Sequence, residues 1–232
     1  MLLENMAMQK SNLIVVAHPD DESIFFGGLI QKDRSRPWHL ICVTDGNGDG
    51  RGKDRYKELL NAAKVLKIKT VEQWNFADIY DQRIDTEQLS ARLKSLSPQV
   101  HTVYTHGPLG EYGHPHHQDV SFAVHQTFLK THTVWGAAYN CLPQKRVLLS
   151  PAQFKLKSKI LSETYRLETE RFVHLLPAFA EEGFCRFDKA ECESIYNTVC
   201  FKKTLYTKAL KHYRWLSTIL PQTAYCGLKR PF

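Results

Sequence analysis

The stretch from Asn12 to Gly28, NLIVVAHPDDESIFFGG, constrains this chain more than any other. Leu13 to Ala17 is a run of β-branched and apolar residues with the length and composition of a strand buried on both faces. It ends on His18. Pro19 then fits the first turn of a helix, where its missing N–H costs nothing, and Asp20, Asp21 and Glu22 put acid where the helix dipole favours it. A buried strand that hands over to a helix in this way belongs to an open parallel sheet, and in such sheets ligands bind outside the carboxyl ends of the strands.

A second motif, GHPHHQDV over Gly113 to Val120, follows another apolar strand, Val100 to Thr105, through the glycine-bearing loop Gly107 to Gly113. Together the two motifs offer a metal site. His18 and Asp21, either side of a tight turn, supply one nitrogen and one carboxylate oxygen, and His117, in the first turn of a helix opening at Pro115, supplies a second nitrogen. Three protein ligands with a fourth position left to water make a catalytic zinc site, whereas a structural site closes with four. Ferrous iron also accepts two histidines and a carboxylate. Asp20, beside a ligand but pointing elsewhere, is free to take a proton from water. Taken singly, acids in a first helical turn are usually dipole partners and a His-x-x-His is usually a surface pair. Their joint placement after two buried strands carries the metal reading.

The string AHPDDE (Ala17 to Glu22) and the later His-Pro-x-His (His114 to His117) resemble the LmbE-like and PIG-L-like zinc-dependent de-N-acetylases, which remove acetyl groups from N-acetylated sugars. The resemblance covers the chain to about Val124. It implies His18, Asp21 and His117 as metal ligands and Asp20 as general base. By the same resemblance His114 stabilises or protonates the reacting centre, Tyr112 helps hold the oxyanion, and Arg55 and Asp78 contact the sugar. The bare residues offer plainer roles for the last two: Arg55 an exposed ion pair with Glu58, Asp78 a turn former. His116 stands where many relatives carry aspartate, so the acid expected to orient His114 is missing, and Glu111 or Asp119 is left as the candidate replacement. His116 and His125 read as incidental, and His106 points at the active edge by position but, as a loop histidine, reads as a surface one.

Other chemistries find no foothold. DGNGDG (Asp45 to Gly50) opens like a calcium loop, but its twelfth position is Tyr56 and Arg51 and Lys53 bring positive charge into it. The glycines there lack dinucleotide spacing, no G-x-S-x-G occurs, and the six cysteines show no C-x-x-C. No run approaches the eighteen or so apolar residues of a membrane span, and the N-terminus has no signal-like apolar core, so a cytoplasmic protein is expected.

Strands are expected at Leu13 to Ala17, Trp38 to Thr44, Thr70 to Phe76, Val100 to Thr105 and Val134 to Asn140, with helices from Ser23, Lys53, Thr86 and Pro115 between them. That alternation predicts an α/β, Rossmann-like, mainly parallel sheet with helices on both faces. Residues 1–150 form the metal-dependent deacetylase core, and 151–232 a helical, aromatic-rich extension packed on it. Up to Ser150, seventeen Lys and Arg face sixteen Asp and Glu; after it, fourteen face eight, so the net charge of +7 lies mostly in the extension. Pro151 to Val173 is expected to be helical. Thr198 to Leu216 reads as a basic amphipathic helix, with a solvated face or, less simply, a contact with an anionic membrane or acidic partner. The expected activity is deacetylation of an N-acetylglucosamine-type sugar or conjugate, with Zn2+ or Fe2+ as cofactor and no nucleic acid as partner. The rivals are an amidase or esterase on a non-sugar substrate, and a non-enzymatic protein binding membrane or nucleic acid through its basic helix.

Overall fold

A computed structural model describes residues 10–171 and 180–219. β1 (Ser11–Val16) alternates its side chains between two cores. Leu13, Val15 and Ala17 pack with Leu89, Leu93, Val120, Val124 and Phe128, on α3 (Thr86–Lys94) and α4 (Pro115–Phe128). Ile14 and Val16 pack on the opposite face with Ile24, Phe26, Leu59 and Leu66, on α1 (Asp21–Lys32) and α2 (Gly52–Leu66). Burial on both faces is why the strand reads as one apolar run.

β2 (Trp38–Thr44), β3 (Thr70–Phe76), β4 (Val100–Thr105) and β5 (Thr133–Ala137) complete the parallel part, in the order β3-β2-β1-β4-β5. The chain works outward from β1 to β3 and then returns to lay β4 on the other side of β1. The carboxyl ends of β1 and β4 therefore border a topological switch point.

Two strands escaped the sequence. β6 (Lys145–Leu148) and β7 (Glu181–Cys185) extend the sheet to seven strands, with β7 antiparallel to both β5 and β6. KRVL and EEGFC are short, charged and without alternation, so no strand period shows in them. The expected helix from Pro151 is also interrupted: α5 (Pro151–Lys159) passes into a π-helical turn at Ile160–Thr164, closed by Tyr165 N–H on the Ile160 carbonyl, before α6 (Arg166–Arg171).

These later segments brace α1. Lys157 of α5 and Glu182 of β7 form a fully buried ion pair at 2.6 Å. The Lys157 ammonium also donates to the Ile24 carbonyl at 2.7 Å, and the Glu182 carboxylate accepts the Gly28 and Leu29 N–H groups at 2.6 and 2.7 Å. A Cβ on Gly28 would stand 2.5 Å from Leu149 Cδ1 and 3.0 Å from Glu182 Oε1, so glycine is what lets the pair reach the helix backbone.

The basic amphipathic helix expected over Thr198 to Leu216 does not form. α7 (Lys189–Phe201) stops at Lys202, whose φ of 53° is left-handed, and only a short turn at Thr207–Ala209 and α8 (Leu216–Ile219) follow. The buried Glu191 carboxylate accepts the N–H groups of Lys211, His212 and Tyr213, and so takes donors that a helix would aim at its own carbonyls. Of the apolar residues of that stretch, Leu205 is half-buried while Ala209, Tyr213 and Leu216 are at most 6% exposed. Among the described residues no helix is long and apolar enough to cross a membrane.

Candidate active site

The turn after β1 is held in an unusual shape. Asp20 has φ 119°, outside the regions that L-residues adopt easily, a conformation that costs about 1–3 kcal/mol and persists only when its surroundings impose it. Glu22, expected only to favour the helix dipole, imposes it. Its Oε2 accepts the Asp20 N–H at 3.1 Å, and its Oε1 takes the Ser23 hydroxyl at 2.5 Å and the Tyr165 hydroxyl at 2.9 Å. The turn also brings Asp21 Oδ2 onto the His18 N–H at 2.8 Å.

His18, Asp21 and His117 converge. His18 Nδ1 lies 3.2 Å from His117 Nε2 and 3.4 Å from Asp21 Oδ2, and His117 Nε2 lies 3.4 Å from Asp21 Oδ1. Ligands held about 2.0–2.1 Å from a tetrahedral zinc stand about 3.3–3.4 Å apart. Two imidazole nitrogens and a carboxylate at that spacing, all buried, fit a divalent cation. His18 and Asp21 line an open cavity of about 450 Å³, walled by Asp20, Asn47, Asp49, Arg55, Asp78, Tyr80, Tyr112 and His114, with Glu168 and Arg171 from α6 at its side.

Glu111 anchors His117 from behind. Its Oε2 accepts His117 Nδ1 at 2.6 Å and His106 Nδ1 at 2.9 Å, and its Oε1 accepts the Gly107 N–H at 2.8 Å. Burial alone would raise this carboxyl, but the two rings outweigh it and hold Glu111 down to about 2. A carboxylate behind a ligating histidine fixes the ring and raises its basicity. Glu111→Gln is therefore expected to weaken zinc affinity about 10–100-fold, measured by competition with a chromophoric chelator.

Glu111 thus serves His117, not His114 as the sequence suggested. Asp119 does not serve His114 either: it is taken by Arg83 at 2.8 Å, the Ile84 N–H at 2.9 Å and the Tyr196 hydroxyl at 2.7 Å. His114 instead caps α4, its Nδ1 accepting the His116 N–H at 3.2 Å. A ring whose Nδ1 accepts carries its neutral-form proton on Nε2. Burial, joined by the neighbouring His18, His117 and His116, holds His114 well below the usual histidine range and so neutral.

The adjacent carboxyls are pushed apart. Burial drives Asp20 up against the opposing pull of Arg55; burial would lift Asp21 too, but His117 and His106 hold it well down. Environments that separate two neighbouring acids in this way give one of them proton-transfer work.

The remaining assignments divide. Tyr112 lines the cavity with its ring edge-on to His114 and His117, and burial keeps its phenol protonated. Arg55 is not the exposed partner of Glu58, which pairs with Arg51 at 2.7 Å. It is buried, donating to the Pro19 carbonyl at 2.8 Å and to Asp20 at 3.3 Å, with Asp78 at 3.6 Å and Glu168 at 3.8 Å. Asp78 stands 3.4 Å from His18 Nε2. His116, read as incidental, and His106, read as a surface loop histidine, are drawn in: His116 Nδ1 meets His18 Nε2 at 3.1 Å, and the fully buried His106 stacks on His117 and accepts the Ala17 N–H at 3.0 Å. His125 stays in the core, bonded to the Ser121 carbonyl at 2.7 Å. A signal for His106 was available, since it follows β4 as His18 follows β1.

Comparison with known proteins bears on the family and the fold. The family description PIG-L: GlcNAc-PI de-N-acetylase matches residues 13–128. A probable N-acetylglucosaminyl-phosphatidylinositol de-N-acetylase of Schizosaccharomyces pombe is 35% identical over 124 residues, covering 49% of this chain and 50% of the relative. The chain thus spans about half the length of that relative, and 29% of the one from Saccharomyces cerevisiae. A probable enzyme of the same description from Dictyostelium discoideum is 23% identical, covering 94% of this chain and 92% of its own. Among solved structures, the N,N'-diacetylchitobiose deacetylase of Pyrococcus horikoshii shares the fold, with a TM-score of 0.59 at 22% identity over 76% of this chain and 83% of its own.

Proposed function

The chain belongs to the PIG-L (LmbE-like) family, and from that premise we propose that it is a metal-dependent hydrolase that removes acetyl from an N-acetylglucosamine-type sugar or its conjugate. The observation that carries this is the convergence of His18 Nδ1 and His117 Nε2, 3.2 Å apart, on Asp21, whose Oδ2 lies 3.4 Å from the first and Oδ1 3.4 Å from the second, with His18 and Asp21 lining an open cavity beside Asp20. The relatives' printed activities on acetylated glucosamine conjugates support the substrate class. A divalent ion held by these residues would act as a Lewis acid towards the acetyl carbonyl and make water easier to deprotonate.

The chain's own residues supply the rest. Asp20 takes a proton from the attacking water, and the raised carboxyl suits a group that must later give the proton up. Arg55, at 3.3 Å, fixes the direction of that carboxylate. Neutral His114 offers an Nε2–H and Tyr112 a phenolic O–H from the cavity wall, two donors for the oxygen that becomes negative as the amide carbon turns tetrahedral. The leaving amine takes its proton from Asp20, which returns the one it accepted from water. Sugar hydroxyls meet a polar wall, with Asp78, Asp49 and Arg171 among the groups able to pair with them.

The test is acetate release from a panel of N-acetylglucosamine conjugates, compared with O-acetyl esters and acetylated non-sugar amines. Release from the sugars, abolished by chelator and restored by zinc or ferrous iron, is the expected result. Faster turnover of the esters or non-sugar amides would replace the sugar reading. Metal analysis of anaerobically purified protein decides between zinc and iron.

A further inference from the structure

His116 departs from the acid that this motif usually carries, yet it sits 1% exposed at the heart of the site. It is the second residue of α4, beside His117, and successive helical residues point about 100° apart. The two rings consequently reach opposite nitrogens of His18: His117 Nε2 faces Nδ1 at 3.2 Å and His116 Nδ1 faces Nε2 at 3.1 Å. The His18 and His116 rings stand 5.3 Å apart at 37°, an edge contact and not a stack.

The hydrogen bonds fix which way this contact runs. His116 Nε2 faces two carbonyls, Ile79 and Gln82, both at 3.1 Å, and a carbonyl can only accept. His116 Nε2 therefore carries an N–H, and in the neutral ring Nδ1 presents a lone pair. Nearest to that lone pair are His18 Nε2 at 3.1 Å and Asp78 Oδ1 at 3.3 Å. Two acceptors do not bond each other, so the donor is the N–H on His18 Nε2, which Asp78 Oδ1 shares at 3.4 Å. In the neutral His18 ring that would hold a metal, Nδ1 is left with its lone pair towards Asp21 and His117.

We propose that His116 is a positioning residue for the metal ligand His18, holding the ring by its Nε2–H so that Nδ1 faces the Asp21 and His117 donors. It does for His18 what Glu111 does for His117, with an imidazole lone pair in place of a carboxylate. This rests on the metal reading given under Proposed function. Groups behind metal ligands change affinity about 10–100-fold when removed.

The experiment is zinc affinity by competition with a chromophoric chelator, on folded protein, for wild type, His116→Ala, His116→Asn and His125→Ala. The asparagine oxygen falls near the position of Nδ1 and can accept the same N–H, so its variant is expected to bind within about threefold of wild type, while His116→Ala binds about 10–100-fold more weakly. His125 is buried on the same helix without touching the cluster, and its variant should keep wild-type affinity. Should His116→Ala not fold, His116→Gln, which carries its amide one methylene too far, takes its place and is expected to show the same loss. Equal affinity in wild type and His116→Ala overturns the positioning role alone. Two zinc ions per wild-type chain against one in His116→Ala would make His116 a ligand itself, which also overturns it. No zinc uptake by wild type overturns this role and the metal reading together.

Discussion

Asp20→Asn lowers kcat about 10²–10⁴-fold while the protein keeps its metal and its fold, the range expected when a positioned general base is removed. Several features make this variant selective. Asparagine has the shape of aspartate and tolerates positive φ about as well, so the backbone at 119° is not put under new strain. The amide oxygen can still accept from Arg55, which stands 3.3 Å from the carboxylate. Only the ability to take a proton is lost. Asp20 is not among the three converging donor atoms, so bound metal should stay at the wild-type level. Acetate release and metal content, measured on the same preparation, check this. Loss of metal in parallel with activity would move Asp20 from base to ligand, and retained activity would leave the site without its proton acceptor.

The second large effect is on stability. Removing either half of the Lys157 and Glu182 pair is expected to cost about 3–5 kcal/mol, because the surviving charge is left buried without a partner. Both residues are at most 3% exposed, and each also satisfies backbone of α1: the Ile24 carbonyl on one side, the Gly28 and Leu29 N–H groups on the other. For a chain of this size that loss corresponds to a drop in Tm of about 6–20 °C. Glu182→Gln, which keeps an oxygen for one of those N–H groups, should lose less than Glu182→Ala. A change under about 1 kcal/mol in both alanine variants would mean that α1 is held by its apolar face alone. The link to the candidate site is direct, since α1 begins at the turn that carries Asp20 and Asp21 and its Phe25 packs edge-on to His117 and His106.

The parallel part of this fold was legible because burial on two faces writes itself as unbroken apolar runs, and the switch from strand to helix is marked by Pro19 and Pro115. The convergence of His18, Asp21 and His117 was legible for a similar reason: a histidine that ends such a run has one place to be. What escaped were groups whose role depends on contacts distant in sequence. Glu22 looks like any first-turn acid until Tyr165 arrives from beyond the π-helical turn. Glu111 read as a candidate partner of His114, and the course of its loop, with Gly110, Glu111 and Gly113 all at positive φ, gives it to His117 and His106 instead; His116 read as incidental until the fold set it against His18. The expected helix at Thr198 to Leu216 failed because one buried carboxylate, Glu191, gathers three backbone amides, a contact that no periodicity records.

The most direct measurement is an anomalous difference map at the zinc absorption edge from crystals of the zinc-loaded protein. The account predicts one peak per chain, about 2.0–2.2 Å from His18 Nδ1, an Asp21 oxygen and His117 Nε2. A peak seated instead on His18 Nε2, His116 Nδ1 and Asp78, or crystals that take up no zinc at these residues, would contradict it.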